Sequence, residues 1–575
     1  MKALKVGFFV DHLEVSSEVF DVVNHVSKSD LFLNPVIIHG YIKENIKTSI
    51  DYRLSRKIKN FGWIGTINYI FFSMFVGLIK KIELKHFQKK FPNFMRKYNL
   101  EKIPNLQKLS VDGIWSNSEL FLSFSDNELE KIRNEQLDCI IRCGSGILKG
   151  NILSITKLGV LTLNHYDNQI NRDGPAGFWE VLNNEPSSGF IIQKLNNETD
   201  EGGILLRGNI MTLDTWSSNY ANIVTKSNYF LMRLLDNISK LGKLPDFEIP
   251  ILHDQPLYKL NKKTIFRYIF FIFFPIIINK ILNKFLGPKV ERWSIAFLSN
   301  DNLKRSLSQS TEVLSQFKEV KNPKGSLLAD PFIINHKGRK IIFVEDMHYS
   351  DNKGRISAIE IKGEKHEFLG VVLEEDFHLS FPFVFEEEKK IYMIPETSQS
   401  NDIRLYECIE FPLRWKLKEI LMKNVSAVDT MIIKKSNLWF MLTTICSAGL
   451  GDHFSELHIF YSDTLSNQKW KPIKSGNPVI FDSQRARNGG LFRDGDRLYR
   501  INQIGGKSHY GKGFGINIVD ILDVEKYIET RVKTVNADFR KDIVSTHHFN
   551  ADKEVGVVDY ARRERLRKIV LESKS

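Results

Sequence analysis

Cysteine is scarce in this chain. There are four in 575 residues: Cys139, Cys143, Cys408 and Cys446. The first two share a C-x-x-x-C spacing, with no second pair and no histidines at metal-ligand distance. That excludes a zinc framework, and four reduced thiols are the expectation for a cytosolic chain. A long apolar run is also missing. Crossing a bilayer takes about 20 apolar residues, whereas Tyr69–Ile79 and Tyr268–Ile278 each supply 11. The opening MKALKVGFFVDHLE lacks the apolar segment and small-residue cleavage site of a secretory leader, and Ala3–Val10 reads as a strand. No zinc-finger spacing, RNA-recognition signature or basic zipper occurs, so nucleic acid ranks last among anionic partners and none is expected.

Acidic residues are outnumbered, 68 to 81, giving a net charge of +13. A lysine-rich solvated surface explains this; so does an anionic partner such as a phosphorylated substrate or a lipid surface. Both apolar runs bear on the choice. Tyr69–Ile79 is followed by KKIELKHFQKK, and YIFFIFFPIII (Tyr268–Ile278) lies between Lys262, Lys263 and Arg267 on one side and Lys280 and Lys284 on the other. Aromatic segments edged by basic residues suit a helix in the membrane interface, and equally a buried interdomain helix. The resulting expectation is a cytoplasmic protein at the inner face of a membrane.

At 42% hydrophobic and 26% charged the chain is built to fold, and its length implies two or three domains. Apolar strands are expected at Leu4–Val10, Val36–His39, Leu137–Arg142, Gly159–Leu163, Gly189–Lys194 and Gly203–Arg207. Helical pieces are expected at Asn151–Lys157, Gly177–Asn183 and Asp214–Lys240. This alternation implies a parallel-rich α/β sheet, whose ligands bind beyond the carboxyl ends of strands. Two polar stretches occupy such ends: Cys143-Gly144-Ser145-Gly146 and the crowded Asn164-His165-Tyr166-Asp167-Asn168. After Arg292 the texture changes. FIINHKGRKIIFVED, FPFVFEEEKKIYMIPET, TMIIKKSNLWFMLTT and GLFRDGDRLYRINQ are hairpins at blade-like spacing, and His547–Asn550 with Val555–Tyr560 supplies a fifth unit.

LDCIIRCGSGILKGNIL, LGVLTLNHYDN, RDGPAGFWEVLNNEPSSGFIIQKL and TDEGGILL, in that order, resemble the formyltransferase fold of methionyl-tRNA, glycinamide ribonucleotide and sugar-nucleotide formyltransferases. The resemblance runs from about Lys5 to Arg207. It implies a Rossmann-like α/β domain over 1–245, 10-formyltetrahydrofolate as cofactor, and an Asn, His and Asp at the site. Asp200 falls on the family's Asp. The family's Asn-x-His is replaced by adjacent Asn164 and His165, and its Ser-Leu-Leu-Pro by Asp167-Asn168-Gln169-Ile170. On this resemblance Asn164, His165 and Asp200 are catalytic, and Gly144, Gly146, Ile147 and Asp167 bind the cofactor. The chemistry would be acyl transfer, with donors aimed at an oxyanion and a base beside the amine.

The phrases ADPF, HLSFPFVF, YMIPET and FPLRW resemble five-bladed β-propellers of arabinanases, invertases and mannoside phosphorylases. They are closer to the N-terminal domain of plant glucosamine inositolphosphorylceramide transferases. A propeller over 291–575 follows, joined to the first domain by a linker, 246–290. The resemblance implies carboxylates flanking a glycosidic bond. Asp330 and Asp429 match first- and third-blade positions, but the fourth opener, Arg487-Asn488-Gly489-Gly490, carries no acid, which argues against simple hydrolysis. Asp330, Glu345, His378, Glu396, Asp429, Arg487, Asn488, Arg500 and Gln503 form the expected saccharide site, the arginines suiting an oxyanion. His547-His548 has no third ligand nearby in sequence, so no metal is expected. The overall expectation is a multidomain carbohydrate-active transferase of surface-glycan assembly, acting on a nucleotide- or lipid-linked sugar. Formyl transfer to an amino sugar, glycosyl transfer in the propeller and non-catalytic glycan binding remain open at this point.

Overall fold

The computed structural model describes residues 3–40, 74, 76–85, 91, 94, 96–116, 121–167, 175–196, 202–248, 261–299, 311–466 and 469–574. The chain divides into two compact units, residues 1–208 with 212–273, and residues 274–575 with 209–211.

The first unit is built on seven strands: β1 (Val6–Phe9), β2 (Val36–His39), β3 (Gln107–Ser110), β4 (Cys139–Arg142), β5 (Val160–Asn164), β6 (Ser187–Lys194) and β7 (Ile204–Met211), in the order β7-β6-β5-β4-β1-β2-β3. The five strands from β3 to β5 are parallel, and β6 runs antiparallel to β5. β1 is buried at every residue because helices cover both faces. Val22, Val23 and Val26 of α1 (Ser17–Lys28) and Leu231, Leu234 and Leu235 of α4 (Trp216–Leu241) pack on one face. Leu129 and Ile132 of α2 (Asp126–Asn134) pack on the other. Between them in sequence lies the short α3 (Phe178–Asn183). α4 begins at a reciprocal Thr215–Ser218 capping box and ends at Gly242, whose φ of +69° is the left-handed stop that glycine adopts freely. Strand order reverses at β1 and β4, placing the loops after these two strands at a topological switch point.

Among the described residues, the sheets of the second unit are antiparallel, with short 3-10 turns at Thr311–Gln316 and Ser398–Ser400 and helical segments at its ends. Five successive sheets follow one another. Their first, innermost strands are β8 (Ser326–His336), β9 (Ser380–Glu387), β10 (Ala427–Lys435), β11 (Asn488–Asp494) and β12 (Phe549–Ala551). Each inner strand packs on the next, and β12 packs on β8, so the sheets meet in a ring through side-chain contact rather than a closed hydrogen-bonded sheet. The fifth sheet joins both ends of the unit: strand Lys289–Ser299 pairs antiparallel with Val555–Arg565 along its whole length.

The segment expected as a linker contains a long helix, α5 (Lys262–Leu286). An Asn261–Thr264 capping box starts it, and a π-helical turn interrupts it at Ile269–Phe273.

Candidate functional site

One construction recurs on the inner strands of the second unit. Pairing with the second strand slips between Ala329 and Phe332, Ser380 and Phe383, Val428 and Met431, and Asn488 and Gly490. Asp330, Phe381 and Asp429 sit in these bulges with left-handed φ of 51°, 43° and 52°. Backbone held in this region is strained, and a bulge re-aims the side chain it carries. The second strands contribute the facing residues. Glu345 pairs in register with Ala329, and Glu396 with Ser380.

The product is a cavity of about 260 Å³ lined by Asp330, Glu345, His378, Glu396, Arg487 and His547, with Trp293 and Tyr510 among its walls. His547 lies between two carboxylates, its Nε2 2.9 Å from Asp330 Oδ1 and its Nδ1 2.9 Å from Asp559 Oδ2. Asp559 also accepts the backbone N–H groups of His547 and His548, each at 3.0 Å. Burial opposes charge on His547, but the two carboxylates outweigh it and raise its pKa to about 10. Reciprocally, Asp330 is held below the usual carboxylate range: burial works upward, and His547 and His548 pull it down further. His548, equally buried, is pushed down to about 4 by desolvation. The backbone N–H of Gly354 lies 2.9 Å from His378 Nδ1, and His378 Nε2 faces Glu345 at 3.2 Å. Burial opposes charge on His378, but Glu345, Glu396 and Asp330 outweigh it and raise its pKa. Burial raises Glu345 against the pull of His378. The cavity therefore sets two carboxyl groups whose pKa values are pushed apart, Asp330 downward and Glu345 upward. Such separation is how acid and base roles are divided.

The fourth side is built around Arg487. Its Nε donates to Asp429 Oδ2 at 2.5 Å, its outer nitrogen lies 4.0 Å from Glu396, and its guanidinium stacks on Phe454 and Tyr510. Gln503 donates to the same Asp429 oxygen at 2.9 Å, and Asn488 donates to the Asp429 carbonyl at 2.8 Å. Burial, with Glu396 and Asp330 adding to it, raises Asp429 to about 8 against the pull of Arg487. Asp429, Asn488 and Gln503 thus lie behind Arg487 and hold it, outside the cavity lining. Arg500 stands further away, fully buried in a pair with Glu529 at 2.7 Å and bonded to the carbonyls of Arg485 and Ala486.

Sequence reasoning missed Asp559, Trp293 and Tyr510. The strand sequence VVDY carries the signal for Asp559, since it sits on its second strand much as Glu345 does in FVED. It also supplies the third group that His547 lacks in sequence. Asp330, His547 and Asp559 converge with ligand atoms within 4.8 Å, a set capable of holding a metal ion. As arranged, both imidazole nitrogens face carboxylates.

In the first unit, Asn164 ends β5 and His165 follows it. His165 Nε2 is buried without a hydrogen-bond partner among the described residues, and burial pushes its pKa to about 4. Asp200 lies outside the described residues. The loop after β4 carries Gly144 and Gly146, and Ser145 N–H and Oγ–H donate to Asp11 at 2.8 and 3.0 Å. Gly146 has φ +84°, and a Cβ there would fall 2.6 Å from Trp115, so this glycine serves that packing. Ile147 opens a short strand paired with Phe121. Asp167 is buried in an ion pair with Arg207.

Residues 313–554 match the family model described as glucosamine inositolphosphorylceramide transferase 1, N-terminal. The Arabidopsis thaliana glucosamine inositolphosphorylceramide transferase 1 is 33% identical over 251 residues, 41% of this chain and 32% of that protein. Its namesake in Oryza sativa subsp. japonica is 32% identical over 212 residues, 36% of this chain and 28% of that one. The chain thus spans about a third of the length of these relatives. Among solved structures, the catalytic domain of a Coprinopsis cinerea GH62 α-L-arabinofuranosidase matches 40% of this chain and 90% of its own at 13% identity, TM-score 0.29. A sugar N-formyltransferase from a Shewanella species matches 44% and 76% at 12% identity, TM-score 0.26. At these scores neither likeness bears on the chemistry. Most of the residues that line the cavity lie within the stretch that matches this family model.

Proposed function

We propose that this chain is a carbohydrate-active transferase of glycan or glycolipid assembly, with its saccharide site in the cavity of the second unit. The five sheets are read as blades of a five-bladed propeller and the cavity as its central funnel. The observation that carries the reading is the juxtaposition of Asp330, held low by His547, Glu345, raised by burial, and clamped Arg487 around one polar cavity. In glycosyl transfer, the Asp330 carboxylate accepts the proton of an acceptor hydroxyl as its oxygen bonds to the anomeric carbon. Glu345 delivers a proton to the departing oxygen as the old glycosidic bond breaks. Arg487, with Glu396 at its outer nitrogen, orients an oxyanion of the donor or acceptor. The similarity to glucosamine inositolphosphorylceramide transferases supports a nucleotide-linked hexosamine as donor and a lipid-linked saccharide as acceptor. The test is product detection by mass spectrometry with such pairs. Asp330→Asn and Glu345→Gln should each lower turnover at least a hundredfold, about the contribution of one acid–base group. Unchanged turnover in both would refute the assignment.

A second reading gives the first unit its own activity, formyl transfer to an amino sugar. The buried, neutral His165 beside Asn164 at the carboxyl end of β5 favours it. Asn164, His165 and Asp200 would serve the acyl chemistry. A folate would lie along the β4 loop, with Gly144 and Ile147 offering backbone and Asp167 held by Arg207; its role would be to supply the formyl carbon. A formyl mass increment on an amino sugar, lost in His165→Ala, supports this reading; its absence with intact folding removes it.

A further inference from the structure

Residues 76–85, the described end of the first basic-edged apolar run, and the start of the second, nearly two hundred residues later in sequence, come together in the first unit. Helix 76–85 and the first half of α5 are joined where Tyr268 donates its hydroxyl proton to Glu83 Oε1 at 2.5 Å, and Glu83 also accepts Ser217 N–H at 2.9 Å. On α5 the buried residues are Ile265, Tyr268, Ile269 and Ile272, a spacing that puts one face of the helix inward. The other side is apolar and exposed: Phe266 58%, Phe270 58% and Phe271 73%. Met74, Leu78 and Ile82, also exposed, repeat at four-residue intervals on the neighbouring segment. Past Phe274 no residue of α5 is buried, and Ile278, Ile281 and Phe285 are more than half exposed. A soluble surface seldom carries apolar exposure this continuous without a partner.

The charge of the segment says which partner. From Gln255 to Val290 there is no Asp or Glu, while Lys259, Lys262, Lys263, Arg267, Lys280, Lys284 and Lys289 are present. Contrary to the sequence expectation, α5 as a whole, 25 residues, is long and apolar enough to cross a bilayer. But Arg267 and Lys280 leave only 12 uncharged residues between them, about 18 Å of helix against a hydrocarbon core of about 30 Å, so spanning would draw Lys280 into the core. A helix of this kind beds its aromatic face into one leaflet and keeps its lysines among the headgroups. We propose that α5, with the exposed edge of helix 76–85, is an in-plane anchor for an anionic bilayer surface. This does not depend on the saccharide reading.

The test is flotation of the full chain with phosphatidylcholine vesicles and with vesicles containing 30% phosphatidylglycerol, at low and high salt. Phe271→Glu with Phe285→Glu, both at exposed positions, serves as the variant, with its thermal melt and light scattering measured alongside. The expected result is binding to the anionic vesicles, weakened by salt, released by alkaline carbonate, and at least tenfold weaker in a folded variant. Equal binding by a folded variant, no binding by the native chain, or resistance to carbonate would overturn the proposal. So would a dimer that the substitutions dissociate without any lipid binding. If the double variant fails to fold, Lys280→Glu with Lys284→Glu decides: retained anionic-lipid binding overturns the proposal, and a tenfold loss upholds it.

Discussion

Arg487 and Arg500 look alike in sequence, each near a blade opener and each a candidate fork for an oxyanion. The structure separates them by what they touch: Arg487 borders the cavity, whereas Arg500 is sealed against Glu529. Removing one partner of a buried ion pair costs about 3–5 kcal/mol. Arg500→Met should therefore lower the urea-unfolding stability of the second unit by that amount and leave saccharide affinity per folded molecule unchanged. Arg487→Met should lower affinity as well. His547 gives a pH dependence. Its folded pKa of about 10 lies above its ordinary value of 6.5, so its contribution is complete below pH ~6.5 and is lost as pH rises through ~10. His548, at about 4, acts in the opposite sense and withdraws stability as pH falls from ~6.5 to ~4. Urea unfolding of native protein and His547→Gln between pH 6.5 and 10 should show the gap between them closing with rising pH. A constant gap would contradict the pairing of His547 with Asp330 and Asp559.

At the scale of elements, legibility followed burial. β1, β2, β4 and β5 could be read because they are continuous apolar runs buried on both faces. β3, QKLS, is a polar edge strand, and α2, DNELEKIRN, buries only Glu128, Leu129 and Ile132, so neither carries a strong period. α1 is amphipathic, but its valines favour a strand reading locally. The antiparallel hairpins of the second unit were legible from charged turns between apolar strands, whereas the inner-strand bulges were not, since register slips leave no compositional mark. Those bulges aim Asp330 and Asp429, and this is why the candidate residues could be named while their division into cavity wall and support could not. Gly490 tests the same geometry. At φ +130°, its Cβ position would lie 2.0 Å from the Phe549 carbonyl oxygen. Gly490→Ala should cost about 3 kcal/mol or more, read as a depressed melting temperature of the second unit.

For the whole molecule, the central question is how a ring of sheets becomes one cooperative unit. The first and last strands of that unit, Lys289–Ser299 and Val555–Arg565, form adjacent strands of one sheet, so the ring is closed by the ends of its own chain. Truncation after Asp552 should abolish the cooperative unfolding transition of the second unit, seen by calorimetry, while the transition of the first unit persists. Asp559 lies on that closing strand and holds His547, which in turn faces Asp330. The strand that closes the ring therefore also carries a residue of the site. The measurement that tests the account most directly is calorimetric titration of the full chain with nucleotide-linked hexosamines, repeated on Asp330→Asn, Glu345→Gln and His165→Ala. The account predicts binding that falls at least tenfold in the first two and is unaltered in the third. Binding unaffected by the cavity substitutions, or lost only in His165→Ala, would contradict it and move the saccharide site to the first unit.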